Sequence, residues 1–303
     1  DFMDSLDDDP AGKAPQATAI AYRRNAATGR NIDPGVTGCD AASGIYGGSV
    51  FRANNPRLGA YCGSNEAAAS YWTVQTEKRN LNGYGLLTFH LDEHTDLFAD
   101  LAVGSARISN NTRAPTWTSS RNYFYNQNTG NLESWYRRFA PEEIGGLPRN
   151  ANRFLENSWS FNVGARGQIG DSGWDYEAVY SRSRYENRTR RPVLLAGINE
   201  YLLGPQRGVR NGVEVYAPDP SRLFQPLTPN EYEGLSGYQE SRNAAWLQTF
   251  SASVNGRLFA LPGGDAALAA VVEAGSQGYR NRPDPRLGTG EFWNTSAGIG
   301  AGG

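Results

Sequence analysis

Three segments of this chain carry the same alternation of apolar and polar residues around a short polar turn. They span residues 81–103, 159–180 and 246–274. An alternation with a period of two predicts β-strands, and two such strands around a tight turn predict a hairpin. Long stretches rich in Asn, Arg, Gly and Pro separate the three segments. Short turns at one end of a sheet and long loops at the other are typical of an antiparallel transmembrane β-barrel.

The alternation assigns each hairpin residue to one of two faces. The residues predicted to point outward are Leu101, Phe161, Val163, Tyr176, Ala252 and Val272. The residues predicted to point inward are Asp100, Asn162, Glu177, Ser253 and Glu273. A soluble sandwich would also alternate. Two features favour lipid instead: each apolar run has about ten residues, the length of a tilted membrane strand, and aromatic residues cluster near its ends, as in interfacial girdles. These aromatic residues are Trp159, Trp174, Tyr180 and Trp246.

The bulk composition excludes other classes. The chain has 303 residues and 36 glycines, which argue against a large conventional core. It contains no apolar run of about 18 residues, so helical membrane spans are excluded, whereas alternating barrel strands leave no such run. A formal net charge of -2 gives no support for nucleic-acid binding.

The turn and loop lengths predict an all-β fold in which residues 1–303 form a partial barrel domain of about seven strands. The predicted periplasmic turns are 92–96, 170–173 and 259–266, and the predicted extracellular loops lie near 24–78, 109–156 and 187–243. A first strand is predicted near 17–23, with residues 1–15 forming a turn on the periplasmic side.

The two cysteines, Cys39 and Cys62, both lie in the first predicted loop. A pair placed in this way favours a disulfide in an oxidising compartment over two free thiols. The bridge would close a loop of roughly two dozen residues, which the chain-entropy model values at about 3 kcal/mol.

The long loops combine aromatic residues with arginines, which suits ligand capture. Trp135, Arg137 and Arg138 are the predicted ligand contacts. The alternative, that such residues pack the loops against each other, stays open at this point. The residues that continue the outward-facing alternation toward the loops are arginines. They could contact lipid phosphates or simply be solvated. These are Arg79, Arg107, Arg184 and Arg242.

One motif suggests a competing chemistry. Residues 90–94 match the H-x-x-E-H zinc pattern, and His90 and His94 are the only histidines of the chain. Zinc binding by this motif needs a helix, whereas here it lies where a strand passes into a turn. The G-x-S-x-G, P-loop and G-x-G-x-x-G motifs are absent from the sequence. We therefore expect that the protein is not an enzyme and that it has no metal site and no cofactor.

The hairpins resemble the barrel domain of TonB-dependent outer-membrane receptors. The likeness lies in residues 159–185 with the Gly170-Asp171-Ser172-Gly173-Trp174 turn, and in residues 258–264, where Leu261-Pro262-Gly263-Gly264 leads into the strand 271–280. It extends loosely over most of residues 79–300. Membership implies a barrel of about 22 strands with an N-terminal plug and a TonB box.

The resemblance implies energy-coupled uptake of a scarce nutrient, such as a siderophore, cobalamin, a glycan or a peptide, across the bacterial outer membrane. The expected partners are the nutrient, lipopolysaccharide or other outer-membrane lipid, and TonB, but no nucleic acid. We expect the chain to be a fragment, with TonB reached through a region outside this sequence. Two alternatives stay open: a surface-exposed barrel acting as adhesin or passive porin, and a soluble β-sandwich binding module.

Overall fold

The computed structural model describes residues 17–67, 71–111, 113–119 and 123–293. The predicted turn at 1–15 lies outside these ranges. The strands in chain order are β1 (Thr18–Asn25), β2 (Asn31–Ile32), β3 (Val50–Asn55), β4 (Gly59–Ser64), β5 (Glu77–His90), β6 (Thr95–Asn110), β7 (Thr116–Thr118), β8 (Phe124–Asn126), β9 (Asn131–Arg138), β10 (Asn152–Gln168), β11 (Trp174–Leu194), β12 (Val209–Arg210), β13 (Val213–Tyr216), β14 (Ser236–Leu261) and β15 (Gly264–Arg282). The α-helices of the described ranges are α1 (Gly197–Leu203), α2 (Ser221–Phe224) and α3 (Pro229–Gly234). None of these helices is both long and apolar enough to cross a membrane.

The six longest strands form one sheet, which we call the long sheet. Its order is β15-β14-β11-β10-β6-β5, and every neighbouring pair is antiparallel. The three predicted hairpins are therefore adjacent in space as well as in sequence. The all-β prediction is confirmed, although neither sheet closes into a barrel within the described part of the chain.

Tight turns join the strands of the long sheet in pairs. The last pairs before the turns are His90 with Asp96, Gln168 with Asp175, and Leu261 with Gly264. The backbone N–H of Gln168 donates to the carbonyl of His94 at 2.9 Å, so the first two turns lie side by side. Trp174 pairs with Gly256, which places the third turn at the same end. The predicted arrangement of turns and long connections at opposite ends is confirmed.

Local chemistry explains the second turn. Gly170 and Gly173 have φ angles of 51° and 71°, a left-handed conformation that glycine adopts without the steric penalty of a Cβ. Between them, the hydroxyl of Ser172 donates to the carbonyl of Ile169 at 2.5 Å. These contacts fix the reversal and thereby the register of β10 against β11.

The register separates the two predicted faces. Directly paired residues of an antiparallel sheet share one face. The face that we call the apolar face holds all six predicted outward residues, Leu101, Phe161, Val163, Tyr176, Ala252 and Val272. The opposite face, which we call the polar face, holds all five predicted inward residues, Asp100, Asn162, Glu177, Ser253 and Glu273. The predicted division into two faces is confirmed.

The segments predicted to be long loops fold into a second sheet, which we call the cap sheet. Its order is β12-β13-β8-β9-β1-β4-β3, with β2 paired to β1 and β7 paired to β9. Its pairs are antiparallel except for β13 and β8, which are parallel. Segments 24–78, 109–156 and 187–243 thus contain strands and helices of their own, which the loop prediction did not include.

The predicted first strand exists but belongs to the cap sheet. β1 pairs with β4 and β9, and its buried residues Ile20 and Ala21 belong to the core of the cap. Within the described ranges the long sheet therefore has six strands, and β1 is not one of them. A short alternating segment predicts a strand but not which sheet the strand joins.

The buried core also lies in the cap. Trp117 is fully buried, and its indole N–H donates to Oδ1 of Asn199 at 2.7 Å, which ties β7 to α1. The other large apolar residues of this core include Phe124, Trp135, Phe139, Ile144, Ile198, Leu202, Leu203 and Leu223. Buried aromatic residues dominate core energetics, so the cap is stabilised by its own interior.

The predicted disulfide is present. Cys39 and Cys62 are bonded with their Cα atoms 5.5 Å apart. Cys62 lies on β4, whereas Cys39 precedes a short 3₁₀ turn, so the bond fastens the segment between β2 and β3 to the cap sheet.

We expect the C39S/C62S double variant to lower the free energy of unfolding of the cap by about 3 kcal/mol, because the bond restricts the unfolded chain. Denaturant unfolding followed by tryptophan fluorescence measures this loss. Alkylation of the unreduced wild-type protein should label neither thiol. Labelling of both cysteines would contradict the assignment.

Candidate functional site on the polar face

The polar face of the long sheet is concave. One cavity of about 1000 Å³ is lined by residues of all six strands, including Tyr84 on β5 and Tyr279 on β15. These strands are the opposite edges of the sheet, which in a flat sheet would lie about 24 Å apart. A single cavity that reaches both edges requires the sheet to curve around its polar face.

The cavity is lined by neutral hydrogen-bonding groups and aromatic rings. Tyr84, Tyr185 and Tyr279 contribute phenol groups, and Asn82 and Gln277 contribute amides. Tyr84 and Tyr279 are 71% and 73% exposed, so their rings are free to meet a solute. Among the described residues that line the cavity, Arg184 alone carries a formal charge, and its parity places it on the apolar face. Neutral polar groups of this kind suit binding or passage of a polar solute.

The turn end of the same face is charged. His90 Nδ1 lies 2.6 Å from Asp96 Oδ1, and Arg166 Nε lies 4.0 Å from the other oxygen of that carboxylate. His94 lies in the turn, with its Nε2 atom 3.8 Å from Asp171. The two histidines therefore occupy a strand end and a turn, as the sequence predicted, and do not share a helix face.

The predicted ligand contacts lie in the cap, away from this cavity. Trp135 and Arg137 are 0% and 1% exposed. Arg138 lies on the opposite face of β9 from these two residues and is half-buried. It donates to the carbonyl of Ala67 at 3.3 Å. Protein atoms surround Trp135 and Arg137, so a ligand would meet them only after the cap had opened. Ligand contact at Trp135, Arg137 and Arg138 stays a prediction.

Two buried carboxylates explain why the predicted contacts are internal. Glu143 accepts from Arg137 Nη2 at 2.5 Å and from the backbone N–H groups of Ala140 at 2.7 Å and Leu227 at 3.0 Å. Glu133 accepts from the indole N–H of Trp135 at 2.7 Å. A buried charge is tolerated only when it is paired and hydrogen-bonded. Glu143 thus links β9, the segment after it and the segment before α3.

Two buried tyrosines add to this network as neutral donors. The hydroxyl groups of Tyr46 and Tyr71 both donate to the carbonyl of Phe139, at 3.0 and 2.8 Å. Burial is the main cause that raises the pKa of both phenols above the ordinary range. Both groups therefore stay protonated at any physiological pH and keep donating.

The sequence interpretation missed the tyrosines of the cavity. Tyr84, Tyr185 and Tyr279 occupy the parity of the polar residues in their strands. That parity was the available signal in the sequence. The counter-ion Glu143 carried no such signal, because only the fold brings it to Arg137.

The comparisons with known proteins leave the family undecided. No protein-family model matches the chain, and no curated protein matches it significantly. The resemblance to TonB-dependent receptors therefore stays a prediction that rests on the hairpin sequences.

We expect Glu143→Gln to lower the free energy of unfolding of the cap by about 3–5 kcal/mol, because it leaves the Arg137 charge buried without its partner. The neighbouring Glu142→Gln is the matched control and should change it by less than about 1 kcal/mol, because Glu142 is exposed. Denaturant unfolding monitored by tryptophan fluorescence compares the two variants. Equal losses would show that the buried pair does not stabilise the cap.

Proposed function

We propose that the long sheet is part of a transmembrane β-barrel in the bacterial outer membrane, and that the protein is a TonB-dependent receptor. In this proposal it imports a scarce nutrient, such as a siderophore, cobalamin, a glycan or a peptide. The hairpin sequences support the family, and the surface of the long sheet supports the membrane location.

The observation that carries the proposal is the bare apolar face. Leu81, Leu87 and Val272 are 75%, 67% and 68% exposed, and in the described part of the chain no second layer covers this face. Soluble proteins rarely expose apolar patches larger than a few hundred Å². A sandwich would cover this face with a second sheet, whereas a barrel would present it to hydrocarbon.

The apolar residues of the apolar face form a band, which we call the apolar band. Its upper limit, at the end away from the short turns, slopes across the sheet. On β5 the apolar residues reach Leu81, whereas on β15 they end at Ala274. The register row of Ala274 runs through Phe250 and Val163 to Leu87, which lies about 20 Å along β5 from Leu81.

From β5 to β15 the turns are displaced along the strands in the same direction as the upper limit of the apolar band. β14 continues past Gly256, the partner of Trp174, to Leu261, so the last hairpin extends beyond the turn of the hairpin before it. Strands of a barrel tilt and stagger, so a level of constant depth crosses successive strands at shifted positions. The slope shared by the band and the turns supports tilted strands in a layer of constant thickness.

The height of the band fits a bilayer. Trp159 lies at its upper limit on β10, and Trp174 lies beside the lower end of that strand, where its carbonyl accepts from Ile169 at 2.8 Å. The two levels are about 33 Å apart along the strand. A tilt of about 40° reduces this to about 25 Å, the height of the apolar band of outer-membrane barrels between their aromatic girdles.

The edges of the sheet need partners in such a layer. β5 and β15 each pair along one side only in the described part of the chain, and β5 is exposed along its whole length. Unpaired backbone groups cost several kcal/mol each in hydrocarbon. We therefore assign further strands to both edges. The concave polar face then lines the lumen, and its cavity belongs to the route of the nutrient.

The cap takes the extracellular side in this arrangement. It lies at the end of the long sheet opposite the short turns, and its disulfide suits an oxidising compartment. Its buried ion pair and aromatic core hold it as a folded surface that faces the medium.

We expect Val163→Arg to lower the stability of the protein in vesicles by about 2–4 kcal/mol, because it places a charge on the apolar face near the centre of the band. Asn162→Arg, at the neighbouring position on the polar face, should cost less than about 1 kcal/mol. Urea unfolding from phosphatidylcholine vesicles measures both variants. Equal tolerance of the two arginines would refute the membrane assignment.

A further inference from the structure

Five arginines gather on the apolar face beyond the upper limit of the apolar band. Arg79, Arg107 and Arg188 lie in one register row with Leu155, and Arg153 pairs with Arg190 in the next row on that face. They come from the four neighbouring strands β5, β6, β10 and β11. We call Arg79, Arg107, Arg153, Arg188 and Arg190 the arginine cluster.

The arginine cluster surrounds an open cavity of about 410 Å³. Two carboxylates lie among the arginines. Glu77 is 2.8 Å from Arg79, and Glu240 is 2.6 Å from Arg188 and 3.7 Å from Arg190. The cavity is therefore lined by five positive and two negative side chains, and its excess charge is positive.

Arg107 and Arg153 are the members that are free to bind an anion. Both are exposed, and neither forms an ion pair among the residues that the structure describes. Arg153 donates to the carbonyl of Pro148 at 3.3 Å, which leaves most of its guanidinium donors open. Two guanidinium groups on adjacent strands, neither with a carboxylate partner among the described residues, thus line the same cavity.

The cluster continues the surface that the proposed function assigns to lipid. Arg107 and Val103 lie on the same face of β6, about 13 Å apart along the strand. Leu155 and Trp159 repeat this spacing on β10. An amphiphile lying along the apolar face would thus place its acyl chains over the band and its head group at the cluster.

We propose that the arginine cluster binds the phosphate groups of an anionic membrane lipid, an inference that rests on the proposed membrane location. Guanidinium groups recognise phosphate with paired, charge-assisted hydrogen bonds. The apolar band directly below the cluster favours a phosphate that is attached to acyl chains, and a free anion gains nothing from that band. The cluster fixes the depth of the sheet in the outer leaflet through this contact.

The test uses the full chain reconstituted into vesicles of phosphatidylcholine that contain spin-labelled phosphatidic acid. The wild-type protein should bind phosphatidic acid in preference to spin-labelled phosphatidylcholine. R107Q/R153Q should lower this preference by more than an order of magnitude, since each arginine near the membrane surface strengthens the binding of an anionic lipid about fivefold. R30Q/R57Q removes the same charge from two exposed turns of the cap and should leave the preference unchanged.

The other outcomes separate the two proposals. Insertion into pure phosphatidylcholine without any preference for phosphatidic acid, or equal losses in both double variants, would overturn the lipid site and leave the membrane location standing. Loss of the preference on adding inorganic phosphate at the concentration of the lipid phosphate would overturn the choice of lipid over free anion. Failure of the wild-type protein to insert at all, with the further strands assigned to both edges present, would overturn the membrane location itself, and the lipid site with it.

Discussion

The continuous antiparallel register from β5 to β15 is the constraint on which the other features depend. A slip of one residue between any two strands would move every side chain of the slipped part to the other face. Over the rows that carry the apolar band the described pairs show no shift, and the one irregularity, between Arg257 and Phe259, lies below them near the last turn. The apolar face, the concave polar face and the arginine cluster all follow from this one register.

The cap and the long sheet differ in how their side chains meet the surroundings. The long sheet leaves its apolar side chains bare, whereas the cap buries aromatic rings together with charged groups, and each buried charge needs a defined partner. Glu143 meets that need for Arg137 and also accepts two backbone donors. The disulfide fastens a segment with little regular structure to the same sheet. A folded cap over one end of a bare sheet fits a protein whose two parts meet different solvents.

The hairpins, their turns, the two faces and the disulfide could be predicted because each depends on local pattern: a period of two, glycines at a reversal, two cysteines in one segment. The cap sheet could not, because its strands are short and their partners are distant in sequence, as where Ala21 pairs with Arg137. The burial of Trp135 and Arg137 escaped prediction for the same reason, since only the folded cap supplies their carboxylate partners. The slope of the apolar band became visible only when the register was known.

A nitroxide scan along β10 tests the membrane assignment of the two faces most directly. Single cysteines introduced from position 159 to 166 can be labelled selectively, because the native cysteines are bonded to each other. In phosphatidylcholine vesicles, labels at Phe161, Val163 and Ala165 should be accessible to oxygen, and labels at Ser160 and Asn162 to a water-soluble nickel chelate. A period of two in this contrast is the predicted result. Equal access of the nickel chelate to both sets of positions would contradict it.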